Sequence, residues 1–461
     1  MKTIVDPDRA LADGLAALRA EFQVPAGFPP AVLAAAEAAA HRPFTEHVDC
    51  TAMRFVTLDP ASSTDLDQAF AIERAGGDIL LHYAIADVAW FVTDGDAIDA
   101  ETWARGETLY LPDGKAGLHP PILGEQAASL LPNGDRAAVI FTVRVGGDGK
   151  SVLEGAERAV IRSVAKLAYE TVRPEDLPPD FEELARRIDA AETARGAARV
   201  DPPEQEVARG DDGRLRLAFR PRRVSEDRNA ALSLATNLAV ADALQVHRTG
   251  LFRVMAGPNP GAIARLRHTA GAFGLDWPAG QPLDQFSQTL SANDPKQAAF
   301  MLAIRRAGNG ASYAPYRDGV TPWHAAMAAT YAQATAPLRR LADRYVIRAA
   351  LAVANGRPVP DAVSAAFERL PPVMARADAR SGQIERAVID LAEAVLLADH
   401  EGEAFSATVT DVDDRGARIQ LCDRPVVARV ATDGLHPGDM IRVKLDGVDM
   451  ARRTIRFEAA G

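Results

Sequence analysis

Asp59, Asp65 and Asp67 crowd into the run Val56-Thr57-Leu58-Asp59-Pro60-Ala61-Ser62-Ser63-Thr64-Asp65-Leu66-Asp67-Gln68, with Glu46 and Asp49 shortly before it. A packed core has no use for that much uncompensated negative charge in one loop. A hard divalent cation does, because Mg²⁺ takes oxygen ligands and is usually held by a few carboxylates plus substrate phosphates. In two-metal hydrolysis such ions activate the attacking water and steady the leaving oxygen. The competing reading is a solvated Asp/Ser loop closed by Asx turns. A calcium EF-hand loop is excluded by Thr64, which stands where that loop requires glycine.

A second run, Tyr331-Ala332-Gln333-Ala334-Thr335-Ala336-Pro337-Leu338-Arg339-Arg340-Leu341-Ala342-Asp343-Arg344-Tyr345, offers positive charge. Ala336-Pro337 reads as a helix start, which puts Arg339 and Arg340 in the first turn. Arginine there opposes the helix dipole, so a nearby anion accounts for it better than helix stability does.

The elements that must hold these residues change character along the chain. Residues 1–45 read as two or three short helices, a small helical or helix-turn-helix-like module broken at Val24-Pro25-Ala26-Gly27-Phe28-Pro29-Pro30. From Phe55 to Val92 the pattern turns to strands, with Ile79 to Ala86 a buried apolar run ending at Asp87. Residues 139–145 and 157–164 read as a hairpin, 165–200 as helix, Gly210-Asp211-Asp212-Gly213 as a hairpin turn, and 225–400 as mostly helix. After Gly402, five short alternating strands with Gly/Asp turns match a small OB-type barrel.

Composition bounds the setting. At 461 residues, with 48% hydrophobic and 25% charged residues, the chain is long enough for two to four ordinary globular domains. Cys50 and Cys422 offer neither a disulfide framework nor a zinc site. No apolar run approaches the ~20 residues of a membrane span, and the N-terminus lacks a signal-peptide apolar region. The expectation is a cytoplasmic monomer with no membrane association. A net charge of −11 argues against wholesale coating of nucleic acid, yet permits a strand threaded through a locally basic channel.

Together these motifs resemble the ribonuclease II family, known for its RNB catalytic domain. The resemblance rests on residues 55–59 with Asp65-Leu66-Asp67-Gln68-Ala69, on Ile85-Ala86-Asp87-Val88-Ala89, and on Thr108-Leu109-Tyr110-Leu111-Pro112. It continues through Leu130-Leu131-Pro132, Arg195-Gly196-Ala197 with Pro203-Glu204, and Thr335-Ala336-Pro337-Leu338-Arg339-Arg340, in the family's order. The fold it implies is a multidomain α+β protein. A helical module spans 1–45, a mixed RNB-like catalytic domain 46–400, and a five-stranded OB-type RNA-binding barrel 401–461. The activity it implies is processive, metal-dependent hydrolysis of single-stranded RNA from the 3′ end, releasing nucleoside 5′-monophosphates, with Mg²⁺ or Mn²⁺.

By position, the resemblance makes Asp59, Asp65, Asp67 and Gln68 the metal site, and Asp67, Arg339 and Arg340 the catalytic residues. Tyr110 would stack on a base and Glu385 would lie near the RNA end. The sequence also departs from the family. Gln68 stands where the metal loop usually has a second consecutive aspartate, Val200 where an aromatic usually faces the stacking tyrosine, and Ala230-Ala231 where an acidic pair is expected before a helix over 232–240. The N-terminal stretch is too short for paired cold-shock domains. An RNA-binding descendant disabled by Gln68 is therefore the second reading. A transcription factor built on residues 1–45 would leave most of the chain unexplained.

Overall fold

Strand β2 (Phe55–Asp59) is buried along both faces, as a central strand must be, and its last residue is Asp59. In this computed structural model the described residues are all except 1, 4–9, 198–203, 210–214, 221, 292–293, 309, 414, 432–433 and 461. Around β2 the chain builds one sheet from β1 (Val48–Asp49), β3 (Gln68–Ala75), β4 (Asp78–Ala86), β5 (Arg136–Val145), β6 (Ser151–Ile161) and β7 (Ser163–Ala168), in the order β7-β2-β3-β4-β5-β6-β1. The β7–β2 and β1–β6 pairs are parallel and the others antiparallel.

Side chains alternate across the strands, so the sheet feeds two cores. On one face Val56, Leu58, Phe70, Tyr83 and Phe141 pack under α3 (Phe181–Ala194), α4 (Val224–Val246) and α5 (Leu341–Ala354). On the other, Phe55, Ala69, Ala71, Ala84 and Ile140 meet Val32, Ala36 and Ala39 of α2 (Pro30–Ala40). This is a three-layer arrangement with helices covering both faces.

The 37-residue helix α6 (Asp361–Leu397) spans about 55 Å at 1.5 Å per residue. Its first half enters the main core through Val363, Phe367, Leu370 and Met374. Its second half packs Ile384, Val388 and Leu391 against Leu11, Leu15 and Leu18 of α1 (Ala10–Glu21). Gly14 allows that approach, since a Cβ there would lie 2.6 Å from Leu391 Cδ1. Beyond it, β8 (Ala404–Asp413), β9 (Gly416–Leu421), β10 (Val427–Val430), β11 (Met440–Asp449) and β12 (Thr454–Ala459) close into a barrel in the order β8-β9-β10-β12-β11. The α+β class and the five-stranded barrel are as the sequence implies.

Several local expectations change. Residues 165–168 belong to β7 rather than to a helix, because Ala165, Lys166 and Leu167 extend beside β2 in parallel register. Helices α1 and α2 join different hydrophobic clusters and do not form a core of their own. Ala230 and Ala231 lie inside α4, which starts at Val224, and not ahead of a helix. The expected turn at 210–213 and the Val200 position fall outside the described residues, although Glu204–Arg209 and Leu215–Arg220 do pair antiparallel. Among the described residues no helix is long and apolar enough to cross a membrane.

Candidate active site

The loop between β2 and β3 is held from several sides. Lys166 Nζ donates to Ala61 O (2.8 Å) and Ser63 O (2.5 Å), and Ala61 N–H donates to Glu170 Oε2 (3.2 Å). Ser129 Oγ accepts from Leu66 N–H and donates to Thr64 O. Asn229 Nδ2 reaches Leu58 O (3.1 Å) and Tyr169 Oη (2.8 Å), fixing the end of β2 to α4. The carboxylates are thus presented by a rigid frame.

Asp67 is buried, and its Oδ1 accepts Leu338 N–H at 2.7 Å while Oδ2 lies 3.4 Å from Arg339 Nε. Burial pushes its pKa up to about 7 against the pull of Arg339. Asp59 is raised to about 7 as well, by burial and then by the negative charge of Asp67, with Arg339 opposing. A buried Asp67 and a partly buried Asp59, both pushed up by desolvation despite the opposing charge of Arg339, form a carboxylate pair whose charged forms lack full compensation. That chemistry fits a divalent cation. Among the described residues no three His, Cys, Asp or Glu side chains converge as a finished cage, so protein ligands would have to be completed by water or substrate oxygens, as Mg²⁺ commonly accepts.

The other two residues that the sequence suggests for a metal site are already engaged. Asp65 Oδ1 lies 2.7 Å from Lys115 Nζ, and its Oδ2 accepts the Tyr110 hydroxyl at 3.2 Å. Gln68 Oε1 accepts from the buried Tyr83 hydroxyl, while Nε2 donates to Thr335 O at 2.8 Å. Gln68 therefore ties β3 to the Arg339 segment through Nε2 and to Tyr83 of β4 through Oε1. Only the remaining lone pair of Oε1 is left to face a cation.

The arginine motif differs from its sequence reading. Residues 336–340 form a turn, and α5 begins only at Leu341, with Arg340 as an extended N-cap (φ −129°). Asp343 Oδ2, inside the first turn of α5, accepts both Thr335 N–H (3.1 Å) and Ala336 N–H (2.8 Å). Arg340 forks onto the same carboxylate at 2.9 and 2.7 Å. Its guanidinium is thereby committed to Asp343, which makes it a positioning residue for the turn, whereas the Arg339 side chain stays 42% exposed beside Asp67. Neutral His119, its pKa lowered to about 3 by burial, donates from Nε2 to Pro337 O at 3.2 Å and steadies the turn from behind.

Tyr110 is 51% exposed, on the hairpin Leu109–Leu111/Gly114–Ala116. Burial of its hydroxyl beside Asp65 raises the phenol pKa. Glu385 is exposed on α6, on the side where Glu107 lies close to Asp378, Ser381 and Arg340. Asp59, Asp65, Asp67, Gln68, Tyr110 and Arg339 are thus gathered into one site, with Arg340 behind it and Glu385 farther along.

Sequence reasoning missed Tyr83, Lys115, Lys166, Thr335 and Asp343. One signal was available for the lysines: the chain has six lysines against 46 arginines, and two of those six hold the acidic loop.

Comparison with known proteins bears on the family and the fold. The RNB domain family matches residues 47–355, and the RNase II-type exonuclease C-terminal S1 domain matches residues 403–460. Exoribonuclease 2 of Salmonella paratyphi B is 29% identical over 416 residues, covering 85% of this chain. The chain spans 63% of that relative's length. Among solved structures, Mycoplasma genitalium RNase R in complex with ribose-methylated single-stranded RNA has a TM-score of 0.86 at 19% identity, covering 100% of this chain and 79% of that one. Yeast Ssd1, described as a pseudonuclease, has a TM-score of 0.70 at 17% identity, covering 98% of this chain and 58% of that one. These structural likenesses speak to the fold.

Proposed function

The chain belongs to the RNB domain family, and from that premise we propose that it is a metal-dependent exoribonuclease. It would hydrolyse single-stranded RNA processively from the 3′ end and release nucleoside 5′-monophosphates in the cytoplasm. The observation that carries this reading is the carboxylate pair of partly buried Asp59 and buried Asp67, both raised to about 7 by desolvation, set beside the partly exposed side chain of Arg339.

In this reading Asp59 and Asp67 hold Mg²⁺ or Mn²⁺, with Asp65 and Gln68 shaping the loop around them. A bound divalent ion would supply Lewis acidity to the phosphodiester and a more acidic water. Asp67 accepts Leu338 N–H and so fixes the distance between the loop and the arginine turn. Arg339 offers its fork to the charge that develops on the phosphate oxygens. Tyr110 gives a face on which a base stacks without sequence preference. Glu385 lies toward the 3′ end. The barrel at 403–460 adds a surface for the incoming strand, as OB-type folds do.

A second reading keeps RNA binding and drops cleavage. It is favoured by Gln68, whose amide is tied to Tyr83 and Thr335 where the family has a carboxylate, and by the likeness to a pseudonuclease fold. Incubating the protein with 3′-tailed single-stranded RNA and Mg²⁺ or Mn²⁺ separates the two. Mononucleotides and a short end product are expected. Intact RNA that is still bound would establish the second reading.

A further inference from the structure

Lys115 and Tyr110 face each other across the two strands of their hairpin, and both reach Asp65. The hydroxyl takes Oδ2 and the ammonium takes Oδ1, so one hairpin occupies both oxygens of a residue in the metal loop. The ammonium has two further oxygen neighbours, Glu125 Oε1 at 3.3 Å and Thr64 Oγ1 at 3.5 Å. Glu125 Oε2 also accepts the Thr64 hydroxyl at 3.1 Å, which closes the cluster on itself. Three oxygens, two of them from carboxylates, therefore converge on one cation position next to Asp59 and Asp67.

An ordinary stabilising ion pair does not account for the choice of residue. A pair of this kind contributes little, and arginine, which fills almost every basic position in this chain, would fork onto a carboxylate with better geometry. Lysine differs in presenting a compact point charge, the property it shares with a metal ion. We infer that the Lys115 ammonium stands in for a second divalent cation, so that this site takes one exchangeable ion, at Asp59 and Asp67, beside one fixed charge. Lys115 is thus a positioning residue that acts through Asp65 and sets the metal stoichiometry. The inference rests on the metal-dependent reading above.

The test is Mn²⁺ binding to the full chain, counted by the loss of the free-ion electron paramagnetic resonance signal on titration, with folding checked by circular dichroism. Wild type is expected to bind one Mn²⁺. Lys115→Met keeps the aliphatic stem and empties the three-oxygen position, and two ions are expected. Lys115→Arg keeps the charge and should return to one, while Asp59→Asn should lose the ion that wild type holds. Two ions on wild type, or one ion on folded Lys115→Met, would overturn the role given to Lys115 and leave the nuclease reading standing. No ion on any folded variant would overturn the metal reading itself, and the inference with it.

Discussion

Replacing Asp67 by Asn preserves the side chain's shape and the acceptor for Leu338 N–H, but removes the charge that faces Arg339. RNA cleavage should therefore be abolished while RNA binding changes little; gel assays of turnover and fluorescence anisotropy check both, and retained turnover contradicts the assignment. Gln68→Asp adds the carboxylate that the family usually has, yet its shorter arm cannot span the Tyr83 hydroxyl and Thr335 O. Leaving those buried groups unpaired should lower stability by ~1–3 kcal/mol, read from urea denaturation. A Gln68→Asp variant as stable as wild type would show that the amide bridge is dispensable. The aspartates were legible in the sequence because residue type alone announces their chemistry. The partners of Gln68 were not: Tyr83 sits on the neighbouring strand, two pairs along in register, and a tyrosine inside an apolar run reads as core.

The arginine turn belongs to the scale of elements. Pro337 suggested a helix start, because its missing N–H suits the first helical position. The chain instead closes a turn at 336–340, because Asp343 takes two backbone N–H groups and the Arg340 fork at once. Asp343 is fully buried, so Asp343→Ala would strand a buried guanidinium, a loss of ~3–5 kcal/mol for a broken buried pair. Thermal or urea unfolding should register that loss, and RNA cleavage should fall with it as Arg339 loses its support. Unchanged stability would contradict the clamp. Helix positions elsewhere could be read from periodicity. Strand β7 could not, because Val164-Ala165-Lys166-Leu167 has no period that tells a short buried strand from a helix.

At the scale of the whole molecule, α6 ties the sheet domain, the N-terminal helix and the barrel together. Near its C-terminal end Glu393 is buried, and its Oε1 accepts Val427 N–H from the barrel (2.8 Å) and Gln205 Nε2 (2.6 Å). Burial raises its pKa to about 8, so between its ordinary value and pH 8 the native state holds a proton that the unfolded chain has lost. Stability from this joint is thus full below about pH 4.5 and declines as pH rises through 8. Glu393→Gln should flatten that decline between pH 5 and 9 in a series of thermal melts; an unchanged slope would place the titration elsewhere. The five barrel strands were legible from their alternation and turns, whereas the joint was not, since a glutamate on a helix reads as solvated. All these parts serve one claim, that Asp59, Asp67 and Arg339 form a working nuclease centre despite Gln68. The most direct measurement is digestion of 3′-tailed single-stranded RNA, 5′-labelled, with and without Mg²⁺ or Mn²⁺, by wild type and Asp67→Asn. The account predicts stepwise shortening from the 3′ end to nucleoside 5′-monophosphates, dependent on the ion and absent in the variant. RNA that stays full length on the wild-type protein under both ions, while still bound, would contradict it.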